Sequence, residues 1–205
     1  MIELIYIFFL LASVLVGGLF VHWNIKKKSS HKNTSKIFLA FSGGFILSIV
    51  FLDLIPHLYK SNSYSIGFFI LIGFLIQLFL EFFSGGIEHG HSTIKRKNKF
   101  PISLLIALCF HSFLEGIPLG NEMNHFSDGT NAQNLFLGIL FHQIPVSIVL
   151  MSILLTSSLS KLKAWFYLII FSITTPLGIG VSYFLSSEII PINDSIILAI
   201  VVGIF

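Results

Sequence analysis

PISLLIALCFHSFLEGIPLG, residues 101–120, decides the fold. Twenty helical residues rise about 30 Å, the thickness of the hydrocarbon core of a bilayer. Over that length the stretch has no lysine, arginine or aspartate, and its imidazole and carboxylate are confined to His111 and Glu115. A surface helix of a soluble protein would carry a charged face along its whole length. This one carries a single polar turn halfway through an apolar span, so it reads as a membrane helix with a task in its middle.

Working outward, runs of the same kind occur at residues 2–23, 37–59, 65–83, 135–159 and 164–185, and another begins at 195. That last run ends at Phe205 after about eleven residues, roughly half of what a spanning helix needs, so the chain reads as a fragment truncated in its seventh span. The expected fold is all-α, a polytopic membrane helix bundle forming a single transmembrane domain over residues 1–205. Composition agrees: 55% of residues are hydrophobic and 10% are charged, against about 25% charged in soluble domains. The single cysteine, Cys109, lies inside a span, so no disulfide framework exists. The chain opens on Met1, Ile2 and Glu3 without a basic segment, which favours an uncleaved first span over a signal peptide.

The placement of charge orients the bundle. Lys26, Lys27, Lys28, Lys32 and Lys36 fall in the first loop, Lys95, Arg96, Lys97 and Lys99 in the third, and Lys161 and Lys163 in the fifth; of the 12 basic residues, Lys60 alone falls in an even loop. The positive-inside rule puts the odd loops in the cytoplasm and the N-terminus outside. The expected location is the cytoplasmic (inner) membrane of a bacterium, the source being suggested by richness in isoleucine, phenylalanine and lysine. Nucleic acid is set aside as a partner, because these lysines hug the spans and have no interleaved aromatics on a soluble module.

Ionisable groups inside a span cost about 2.5–3.5 kcal/mol each even on lenient scales, so each calls for a reason. They are few: Asp53 and His57 in the second span, Glu81 in the third, His111 and Glu115 in the fourth and His142 in the fifth, joined by the amides Gln77 and Gln143. Counting about 1.5 Å per residue from the span ends brings His111, Glu115 and His142 to mid-membrane. His111 and Glu115, four apart, share a helix face with Cβ atoms about 6 Å apart, and one cation can bridge them. Imidazole nitrogen with carboxylate oxygen selects zinc and its transition-metal neighbours, where calcium or magnesium would be held by oxygens alone. Hydrogen-bonded glue between helices is the competing explanation for such a pair. Asp53 and His57 read equally as interfacial anchors or as a metal entrance, and Glu81 as a residue snorkelling at the span end.

Pro118 and Pro145 each follow a candidate ligand by three residues and remove a helical hydrogen bond there, and Pro176 interrupts the sixth span. Small residues, namely Ser42, Gly43 and Gly44, Gly116 and Gly120, and Gly178 and Gly180, are expected to let helices approach closely. In the loop at residues 85–99, His89-Gly90-His91 is a candidate for loop metal capture, with solvated histidines as the plain alternative.

The segments His111-Ser112-Phe113-Leu114-Glu115-Gly116 and Phe141-His142-Gln143-Ile144-Pro145, supported by Ser42-Gly43-Gly44-Phe45, Phe51-Leu52-Asp53-Leu54-Ile55-Pro56 and Thr175-Pro176-Leu177-Gly178, resemble the ZIP (Zrt/Irt-like) metal transporters. The resemblance implies an eight-span bundle, uptake of divalent metal into the cytoplasm, and movement of the ligand-bearing helices against a scaffold. It also implies that His111, Glu115 and His142 form the transport site, with Ser112 and Gln143 as secondary ligand or pathway positions beside Asp53 and His57. Val146 and Thr175 stand where many relatives carry a further ligand, so one principal ion is expected rather than two. Zinc is the expected cargo, with iron, manganese and cadmium left open, and no resident cofactor is expected. The expected partners are the ion, the lipid bilayer and a second copy of the chain as a homodimer. An intramembrane zinc hydrolase is the rival reading, weakened because no HExxH helix is present. An inactive fragment of a transporter is the other.

Overall fold

A computed structural model describes residues 2–24, 31–60, 65–84, 102–125, 130–185 and 194–205. The order is α1 (Ile2–Asn24), α2 (His31–Ile49), α3 (Ile55–Tyr59), α4 (Ile66–Ser84), α5 (Ile102–His125), α6 (Thr130–Thr156), α7 (Lys161–Leu185) and α8 (Asp194–Ile204). No strand occurs among the described residues, and the all-α membrane bundle expected from the sequence is what forms. Between α2 and α3, Val50–Leu54 makes a π-helical turn, closed by the Ile55 N–H bonding the Val50 carbonyl. Pro56 explains it: its ring would collide with the carbonyl of Leu52, four residues back, and the wider turn makes room.

Length and apolarity suffice for membrane crossing in Leu4–Asn24, Leu39–Tyr59, Ile102–Asn121, Ala132–Thr156 and Lys161–Tyr183. Ile66–Phe82 and Ser195–Ile204 are shorter apolar helices. α5 continues past residue 120 to His125, and α6 starts at Thr130, before its apolar run. Apolarity marks where lipid would be, whereas helical hydrogen bonding carries on beyond it. The large side chains that face outward are apolar, with Leu52, Phe82 and Leu162 each at least 80% exposed. Such a surface is stable only against hydrocarbon.

The most extensive packing is α5 on α7, followed by α4 on α8 and α1 on α6. Each of these joints has glycine at its crossing. A Cβ on Gly116 would strike the Thr175 carbonyl, and one on Gly178 the Phe113 carbonyl; likewise Gly73 and Gly203 meet the Ile200 and Ile70 carbonyls, and Gly17 meets Ser147. Main chain therefore touches main chain, as small residues permit in membranes. Gly43, Gly44 and Gly180, expected at such crossings, have nothing within 4 Å of an added Cβ.

The interior is layered. Toward the end of the bundle where α1 begins, Leu10, Leu54, Leu119, Leu135, Ile139 and Ile179 belong to one apolar core. Toward the other, Val14, Leu108, Leu150, Leu154, Leu168 and Phe171 belong to a second. Every helix that crosses from one to the other places buried polar residues in between: Ser13 on α1, Ser112 and Glu115 on α5, Gln143 and Ser147 on α6, Ser172 and Thr175 on α7. A polar layer thus lies at mid-bundle, sealed by hydrocarbon on either side.

Candidate metal centre

α5 contributes His111 and Glu115 from successive turns of one face, and α6 contributes His142 from the middle of its apolar stretch. His111 Nε2 lies 3.1 Å from Glu115 Oε1. His142 Nε2 lies 4.0 Å from the same oxygen. The two imidazoles meet edge to face, with ring centroids 6.2 Å apart. One ligand atom from each residue falls within 4.8 Å of the other two, and no other such group of His, Cys, Asp or Glu occurs among the described residues. Zinc with bonds near 2.1 Å has ligand atoms about 3.4 Å apart in a tetrahedron, so small rotations close this set around one ion.

The electrostatics of the cluster call for a cation. The Glu115 side chain is 1% exposed, and among the described residues no lysine or arginine partners it. A buried carboxylate without positive charge is costly in a low-dielectric setting. Although His111 Nε2 is close, Glu115 Oε1 accepts no hydrogen bond of regular geometry, and His142 Nδ1 also lacks a partner. Three such groups around one ion would leave the fourth position of a tetrahedron open for water.

Proline shapes the surroundings. Pro118, Pro145 and Pro176 lie inside α5, α6 and α7. Lacking an N–H, they leave the carbonyls of Leu114, Phe141 and Ser172 without their usual donors. The first two adjoin Glu115 and His142 in sequence.

The other candidate residues go elsewhere. Ser112 Oγ and Thr175 Oγ1 share a 2.6 Å hydrogen bond, the Gln143 amide donates to both, and Ser13 Oγ donates to Gln143 Oε1 at 3.4 Å. This buried network ties α1, α5, α6 and α7 together next to the cluster without joining it. Asp53, on the π-helical turn, accepts a 3.1 Å hydrogen bond from Asn134 Nδ2 near the start of α6. His57 is half-buried on α3. Neither belongs to the three-residue group. His89 and His91 lie outside the described residues.

The sequence alone points to no role for Gln77 and does not single out Ser13. Gln77 Oε1 of α4 sits 3.2 Å from His111 Nδ1. Its signal was present, an amide four residues before Glu81 in an otherwise apolar run. A lone serine such as Ser13 gives none, because serine is ordinary in membrane helices.

Residues 87–205, more than half of the chain, match the model of the ZIP zinc transporter family. The chain belongs to that family. Comparison with curated proteins finds no significant match. ZIP proteins are integral membrane transporters of divalent metal ions, a family of transporters rather than enzymes, and the apolar helices described above fit an integral membrane protein. The matched region holds α5 and α6 entire, and with them His111, Glu115 and His142.

Proposed function

We propose that this ZIP protein carries zinc into the cytoplasm through a mid-membrane site formed by His111, Glu115 and His142. The observation that carries the reading is the convergence of two imidazoles and one buried carboxylate, with no lysine or arginine among the described residues pairing the carboxylate, between two apolar layers. Nitrogen and oxygen ligands in three-fold array favour zinc over the alkaline-earth ions. The lysine distribution supports an outside N-terminus, which makes the end of the bundle where α1 begins the outer one.

In this reading Asp53 and His57 receive the ion near the outer end, and His89 and His91 capture it on the cytoplasmic side. Ser112 and Gln143 hold the helices in register rather than ligate the principal ion. α5 packs chiefly on α7, α6 on α1 and α2, and α4 on α8, so the two helices that carry the ligands have different principal neighbours from α4. Uptake of radioactive zinc into proteoliposomes tests the proposal. Saturable uptake that His111→Ala, Glu115→Ala and His142→Ala each abolish is expected. Unchanged uptake in all three would overturn the assigned site, and absence of zinc uptake beside robust uptake of another metal would overturn the cargo.

A further inference from the structure

A histidine can ligate a metal through Nε2 only if its proton resides on Nδ1, and ligating histidines ordinarily give that proton to an outer acceptor. His111 has such an acceptor: Gln77 Oε1, 3.2 Å from Nδ1. The acceptor is on α4, outside the group of helices that supplies the ligands, and it stands on the side of the ring away from Glu115. A proton on Nε2 would find no such acceptor: Glu115 Oε1 is 3.1 Å away but lies off the line of a regular hydrogen bond. With the proton held by Gln77, His111 Nε2 is left as a lone-pair donor 3.1 Å from Glu115 Oε1, and His142 Nε2 lies 4.0 Å from that same oxygen. His142 has no counterpart to Gln77, since its Nδ1 is buried without a partner.

We propose that Gln77 is a positioning residue for metal binding, its side-chain carbonyl fixing the tautomer and ring orientation of His111 so that Nε2 is presented to the ion. This rests on the assignment of His111 as a ligand. Gln77 itself does not touch the metal, and its effect passes through His111. His111 is accordingly the preset ligand of the pair, and His142 the one that adapts.

Zinc affinity of the full chain in lipid nanodiscs, measured by competition with a chromophoric chelator, tests the proposal. Gln77→Met keeps the length and bulk of the side chain and removes the acceptor; its affinity is expected to fall about 10- to 100-fold, the range for loss of an outer-shell partner. Gln77→Glu keeps an acceptor oxygen and is expected to bind at least as tightly as the parent. In the His111→Ala background, Gln77→Met is expected to have no further effect, because the residue through which it acts is gone. Wild-type affinity in Gln77→Met, equal weakening in Gln77→Met and Gln77→Glu, or additivity with His111→Ala would each overturn the positioning role. Wild-type affinity in His111→Ala alone would instead overturn the site, and so separates the two failures.

Discussion

His111 Nε2 and Glu115 Oε1 face one another at 3.1 Å across one turn of α5 with no regular hydrogen bond between them. In the tautomer proposed above both atoms are acceptors, and two acceptors held at that range repel unless positive charge comes between them. Glu115→Gln preserves the shape of the side chain and removes that demand. Zinc affinity is expected to drop by more than the roughly 10- to 100-fold typical of outer-shell changes, as read by chelator competition. Retention of parental affinity would remove Glu115 from the site.

The ligand set also sets the order of competing ions. Cadmium and other transition metals should inhibit zinc uptake in proteoliposomes, whereas calcium and magnesium in large excess should not, since each prefers an oxygen cage. Effective inhibition by magnesium would point to a site built mainly from oxygens elsewhere in the molecule.

Acidity should oppose binding. A metal and a proton cannot share one imidazole lone pair, so lowering the pH favours protonated His111 and His142 and weakens zinc binding. Conversely, zinc added to protein in lightly buffered detergent should release protons, which an indicator dye records. Binding that neither releases protons nor depends on pH would exclude histidine ligation.

Helix packing offers a test independent of metal. Gly116→Ala drives a methyl group into the Thr175 carbonyl and is expected to lower stability by about 1–3 kcal/mol, seen as a lower Tm in detergent. Gly44→Ala adds the same methyl group where nothing lies within 4 Å and should be neutral or slightly stabilising, alanine being the better helix former. Equal effects of the two would contradict the packing described.

Thr175→Val removes a hydroxyl that Ser112 and Gln143 both engage. The expected loss is about 0.6–1.7 kcal/mol of stability, typical of polar contacts between membrane helices. Zinc affinity should not change, since Thr175 is not among the clustered ligands. A large loss of affinity with Tm preserved would draw this network into the site.

Much of the bundle could be read from the chain alone, because a bilayer imposes one length on every apolar helix, and such runs are hard to miss. The gathering of His111, Glu115 and His142 at one depth was legible for a similar reason: rise per residue converts sequence position into height. Direction around the helix was harder. Ser112 and Gln143 each follow a clustered histidine by one residue, yet about 100° of helical rotation sends them into a separate network. Partners across helices were least legible. Nothing in the sequence says that Gln77 meets His111, or that Gly73 and Gly203 make a crossing while Gly43 and Gly44 do not. Those outcomes depend on which helix lies beside which, a property of the assembled bundle.

The glycine crossings distribute stiffness unevenly. Where α5 meets α7 and α4 meets α8, backbone rests on backbone, and slippage would require the helices to lift apart by a methyl's width. None of the glycines on α4 or α5 has its nearest neighbours across the α4 and α5 boundary, where side chains such as Gln77 and His111 make the contact. A boundary of side chains can break and re-form as it shears. Of these three boundaries, the one that runs past His111 is therefore the most compliant.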